Sequence, residues 1–193
     1  VAEAWAALME RLGYNRYGAQ GGDWGAMVTM HLGLLDAEHL AGIHLNMAVC
    51  GPPADGGEMT DAETEAFART VDDLEAGLAG WILEKFHFWT DHDGDLETAV
   101  SRDALLTNLT TYWATGTINS STRLYYESKK SGLFGPMDAR IEVPTAVARY
   151  PMEILNAPRS WMEAAFNLQR VVDMPRGGHF AALEEPELFV DDV

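Results

Sequence analysis

GGDWG, residues 21–25, lies between a short strand candidate, Tyr17-Gly18-Ala19-Gln20, and a helical run, AMVTMHLGLLDAEHL, residues 26–40. Strand, tight turn and helix follow one another, and G-x-D-x-G has the form of the strained turn that lifts a nucleophile above a parallel sheet. Gly21 and Gly25 are expected to leave space beside Asp23. Aspartate stands where an esterase would carry serine. The helix amides beyond it favour a carboxylate, and the backbone N–H of Trp24 is placed to help stabilise an oxyanion. A carboxylate that attacks an electrophilic carbon forms an alkyl ester, which points to epoxides or alkyl halides rather than amides. Taken alone, the same five residues also suit a helix cap or surface loop. A dinucleotide-binding turn fits poorly, because G-x-G-x-x-G spacing is absent and Asp23 would face a pyrophosphate.

Outward from this turn, AEAWAALMERLG opens the chain as a helix, with Trp5, Leu8, Met9 and Leu12 at helical spacing and Gly13 as its stop. Residues 41–49, AGIHLNMAV, read as a buried strand that GPPADGG ends. Residues 58–134 read as mainly helical: one helix near 62–76, one through GLAGWILEKFHFW, and one through DALLTNLTTYWATG and beyond. After KKSGLFGP, IEVPTAVA returns to a strand, with Pro144 favouring its start or a sheet edge. SWMEAAFN is a short helix, LQRVVDM a strand, and FAALEEPELFVDDV a final helix that Pro186 either begins or kinks. The expected fold is α/β: residues 1–57 as the nucleophile-turn part of the core, 58–135 as a helical insertion, and 136–193 as the rest of the core.

A nucleophile–acid–histidine order is completed by Glu153 after IEVPTAVA and His179 after LQRVVDM. Such a histidine would take a proton from water while the acid holds its tautomer, so that hydroxide attacks the Asp23 ester. Asp173 is a rival acid, weakened by lying inside the last strand. His31, His39, His44 and His87 read as structural or surface residues. DHDGD, residues 91–95, lacks the full calcium-loop spacing and reads as a solvated turn without metal, and the acids of 184–192 read as a solvated helix face.

The 193 residues suffice for one domain with a sizeable core, and 13 Lys plus Arg against 30 Asp plus Glu give a formal charge of -17. That surface repels a phosphate backbone, so no nucleic-acid partner is expected. The single Cys50 forms neither an internal disulfide nor a cysteine zinc pattern. No apolar run is long enough to span a bilayer, and a cytoplasmic location is the expectation.

GGDWG, TGTINSSTRLYYE, VPTAVARYPMEI and MPRGGHFAALEEPELF together resemble the microsomal-type epoxide hydrolases, including the juvenile-hormone epoxide hydrolase branch, over most of the chain and least around residues 54–75. The resemblance implies an α/β-hydrolase fold that takes a small hydrophobic epoxide and needs no cofactor. It makes Asp23 the nucleophile, His179 the water-activating base, Glu153 its orienting acid, and Tyr125 of RLYYE the donor to the epoxide oxygen, with the adjacent Tyr126 as the alternative. A phenol suits that task, since it can protonate the alkoxide of an opening ring. Trp24, Trp81, Phe86, Trp89 and Trp113 are candidates for an apolar pocket.

The family pattern also includes N-terminal strands, an H-G-x-P-like loop with a further oxyanion N–H, and a second cap tyrosine, none of which this sequence contains; the cap reads as shortened. A C-terminal portion of a partial α/β-hydrolase fold is therefore expected, with a first strand that exposes an unpaired edge. Three readings follow: an epoxide hydrolase impaired by truncation, an inactive scaffold that self-associates or pairs with a missing N-terminal half, and a haloalkane dehalogenase-like enzyme.

Overall fold

The computed structural model describes residues 1–51, 60, 61, 63, 78–130 and 139–193. Four strands, β1 (Tyr17–Gly21), β2 (Leu40–Leu45), β3 (Ile141–Arg149) and β4 (Phe166–Asp173), form one parallel sheet in the order β1-β2-β3-β4. Helices α1 (Ala2–Arg11) and α2 (Trp24–Leu35) flank β1; α3 (Leu78–Trp89), α4 (Arg102–Thr115) and α5 (Ile118–Lys130) lie in the chain between β2 and β3. Helix α6 (Arg159–Ala165) precedes β4, and α7 (Ala181–Glu184) and α8 (Pro186–Asp192) follow it. Of the expected helix near 62–76 only Glu63 is among the described residues; its side chain accepts the Thr60 N–H at 2.9 Å, and its own N–H donates to Thr60 Oγ1 at 3.2 Å.

The main core packs Ile43, Leu45, Ile141, Val143 and Phe166 of the sheet against Met27 and Met30 of α2 and Met162 of α6. Helix α1 meets this core through Ala2 and Ala6, while Trp5, Leu8 and Leu12 remain 50%, 39% and 59% exposed. Of the four apolar residues that announced the helix, only Met9 is half-buried, on the same face as Ala2 and Ala6. A second cluster, Ala148, Tyr150, Met174 and Ala181, is joined by Phe189 of α8. A third, Phe86, Val100 and Leu105, belongs to the helical insertion and is met by Phe180.

Pro144 lies near the start of β3, one of the two places expected for it, although the strand is interior: the register between β3 and β4 is irregular there and pairing with β2 begins only at Thr145. Two local expectations are corrected. The C-terminal helix is two short helices, with Pro186 in the first turn of the second, where its missing N–H costs nothing. The acids of 184–192 are not simply a solvated face: the Asp192 side chain is 7% exposed and bonds His44 Nε2 at 3.0 Å as well as Arg170. Among the described residues, β1 has a strand neighbour on one side only, as expected for an edge.

Candidate active site

Because all four strands run the same way, their carboxyl ends share one edge of the sheet, where the loops that carry chemistry gather. Asp23 follows β1, Glu153 follows β3, and His179 follows β4. Three residues 26 or more positions apart in pairs thereby become neighbours.

Asp23 has φ 47° and ψ −126°, the one positive φ of a non-glycine among the described residues. Such a backbone costs about 1–3 kcal/mol and persists only where its surroundings enforce it. Here the enforcement is close packing: a Cβ on Gly21 would stand 2.2 Å from the Gly25 carbonyl oxygen and 2.6 Å from Thr29 Oγ1. Gly25 has open space at its own Cβ position, so of the two flanking glycines only Gly21 is sterically required. Asn46, which sequence reading passed over, fastens the turn from β2: its N–H donates to the Gly21 carbonyl and its side-chain oxygen accepts from Gln20 at 2.9 Å. Trp24 opens α2, putting the dipole of the helix N-terminus beside the carboxylate.

His179 Nε2 stands 3.4 Å from Asp23 Oδ2, and its Nδ1 stands 2.6 Å from Glu153 Oε1. The His179 and Glu153 side chains are 3% and 0% exposed, whereas that of Asp23 is 49% exposed. Glu153 Oε1 also accepts the N–H of Ile154 at 2.7 Å. The buried pair is thus oriented, with the open end of the relay at Asp23. Burial works against a charged His179 ring, but Asp23 and Glu153 outweigh it and lift its pKa to about 9. Asp173, the rival acid, is turned outward and held by Arg149, whose Nε and Nη2 donate to it at 2.6 and 2.9 Å.

Aromatic residues from the insertion stand over this edge. The Tyr125 ring lies edge-on to Trp24 at 5.4 Å and to Trp81 at 6.3 Å, and Trp89 meets the His179 ring at 5.0 Å. Tyr126 is 65% exposed against 46% for Tyr125. Phe86 is buried and stacks on Phe180. Trp113 does not join the group: at 80% exposure it faces outward from α4, an amphipathic position that helical spacing alone could not distinguish from a pocket wall. DHDGD is more than a solvated turn, since Asp91 Oδ2 accepts the Gly177 N–H at 2.8 Å. Its residues form no metal-like group among those described; the one such cluster is Asp36, Glu38 and His39, where His39 already bonds Asp36. Asn46, Asp91 and Glu184 are the site-supporting residues that sequence reading missed, because no local pattern marks their long-range partners.

A parallel sheet with a strained acid turn, a histidine and a second acid at its carboxyl edge defines an α/β-hydrolase. No family model matches the chain. Over its full length it is 34% identical, across 242 aligned positions, to Epoxide hydrolase 1 of Oryctolagus cuniculus, covering 53% of that protein. Among solved structures, it resembles epoxide hydrolase of Aspergillus niger with a TM-score of 0.77 at 27% identity, over 99% of this chain and 54% of the other. Juvenile hormone epoxide hydrolase of the silkworm Bombyx mori gives 0.76 at 33% identity, over 99% and 51%. Over its whole length the chain matches epoxide hydrolases, and it spans about half the length of these relatives. Within the aligned span the rabbit protein carries additional residues, since 242 positions face 193. No helix among the described residues is long and apolar enough to cross a membrane.

Proposed function

We propose that this chain hydrolyses a hydrophobic epoxide to a vicinal diol through an ester on Asp23. The observation that carries the reading is the continuous relay Asp23–His179–Glu153, with Nε2 to Oδ2 at 3.4 Å and Nδ1 to Oε1 at 2.6 Å. A carboxylate oxygen of Asp23 attacks a ring carbon, the C–O bond of the epoxide breaks, and the leaving oxygen takes the phenolic proton of Tyr125. Loss of the Asp23 charge removes one of the two partners that hold the proton on His179, so burial brings its pKa down; the ring's proton passes through solvent to the Tyr125 phenolate, which frees Nε2 as a base. His179 then takes a proton from water, the hydroxide attacks the ester carbonyl, and the Trp24 N–H stabilises the oxyanion. Collapse expels the substrate oxygen, which takes the proton of the attacking hydroxyl, so the diol leaves, the Asp23 carboxylate is restored, and the proton taken from water stays on His179 beside it. The sum is epoxide plus water to diol. Helices α3–α5 act in this scheme as the cap over the site, and Trp24, Trp81 and Trp89 as apolar contacts for the substrate.

Intact-mass spectrometry during exposure to styrene oxide tests the scheme. Wild type should pass through a transient adduct of one substrate, Asp23→Asn should form none, and His179→Gln should accumulate it. A folded wild-type chain that forms neither adduct nor diol sinks the proposal and leaves the scaffold reading. Halide release in excess of diol formation would transfer the same nucleophile to a dehalogenase.

A further inference from the structure

We propose that Glu184 and Asp91 are positioning residues that hold the His179 turn against the end of α3, and so serve ester hydrolysis; this rests on the function proposed above. Four hydrogen bonds make the clamp. The Gly177 N–H donates to Asp91 Oδ2 at 2.8 Å, and the Asp91 N–H donates to Glu184 Oε2 at 2.7 Å. The Phe180 N–H donates to Glu184 Oε1 at 2.9 Å, and the His179 N–H donates to the Trp89 carbonyl at 2.7 Å. The histidine is therefore bracketed, two residues before and one after, by groups tied to the same helix end. The approach is close: a Cβ on Gly178 would stand 2.3 Å from the Trp89 carbonyl oxygen. Glu184 is the junction, since its two oxygens serve donors on both sides of the contact, and charged acceptors make the stronger bonds. Burial pushes its pKa up, against the pull of the N–H groups of Asp91, Phe180 and Gly178.

Nothing in this network bonds Asp23, which is held by its own turn. Disturbing the clamp should therefore misplace Nε2 toward the ester more than it impairs nucleophilic attack. In Glu184→Gln one acceptor oxygen becomes a donor that faces an N–H; Asp91→Ala removes the acceptor for Gly177, and Asp91→Asn retains one oxygen to accept that bond. Single-turnover mass spectrometry with styrene oxide should show ester hydrolysis slowed about 10- to 100-fold in Glu184→Gln and Asp91→Ala, with ester formation changed less than about threefold. Asp91→Asn should recover most of the rate, and the exposed Glu187→Gln should match wild type. Nitrogen-15 resonances of the His179 imidazole should shift in the two slow variants and not in Glu187→Gln.

Equal loss in both half-reactions, which a merely structural role would give, overturns the inference, as do wild-type kinetics in Glu184→Gln. If wild type itself forms no ester, the function proposal fails on its own. In that case unmoved imidazole resonances in folded Glu184→Gln would overturn the positioning role independently, and shifted ones would support it.

Discussion

The charge balance between Asp23 and His179 makes the state of one residue the switch for the other. While Asp23 is a carboxylate, an imidazolium beside it is favoured; in the proposed ester state the buried ring would be held by Glu153 alone. The same coupling acts on stability. The folded pKa of about 9 lies above the ordinary 6.5, so the folded state binds the proton more tightly than the unfolded chain. The stabilisation is fully present below about pH 6.5 and is lost as pH rises through about 9. Comparing wild type with His179→Gln by chemical denaturation across pH 5–10 should therefore give a difference whose pH-dependent part, about 3 kcal/mol, fades over that window. A difference that grows with pH would mean that the histidine is buried neutral.

The Asp23 turn is an element whose two flanking glycines have unequal work. Gly21→Ala would drive a methyl into the backbone of Gly25, an obstruction that no side-chain rotation relieves. It should destabilise the chain by more than about 3 kcal/mol or prevent folding. Gly25→Ala meets no atom within 4 Å and replaces glycine inside α2, so thermal unfolding should show the same or slightly greater stability, by up to about 1 kcal/mol. The G-x-D-x-G pattern was legible as a turn because backbone demands are written locally in glycine. It could not show which glycine meets a neighbour, since that depends on how the first turn of α2 folds back over the end of β1.

Across the whole molecule, the last helix is joined to the sheet by a polar contact as well as by Phe189. Asp192 lies between His44 of β2 and Arg170 of β4, and its side chain is 7% exposed. Asp192→Ala should lower stability by roughly 2 kcal/mol, read by thermal or denaturant unfolding, because it leaves polar groups at a buried position without their acceptor. Apolar contacts of Phe189 with the Ala148–Tyr150 cluster should keep the helix docked, so the loss should be partial.

The sequence by itself determined the strand–turn–helix unit at GGDWG, the four strands, the order of Asp23, Glu153 and His179 at strand ends, and the likeness to epoxide hydrolases. These are carried by features within a few residues of one another: glycine positions, apolar periodicity and short motifs. Only the tertiary structure decided that Glu153 rather than Asp173 meets the histidine, that the Tyr125 ring lies against Trp24 and that Trp113 faces outward. It also disclosed the clamp of Asp91 and Glu184, whose hydrogen bonds join residues 86 and 93 positions apart. Acids such as Asp91, Asp173 and Glu184 look alike in a sequence. Which one is solvated and which one supports a site is set by the partners that the sheet order and the return of the chain bring to them.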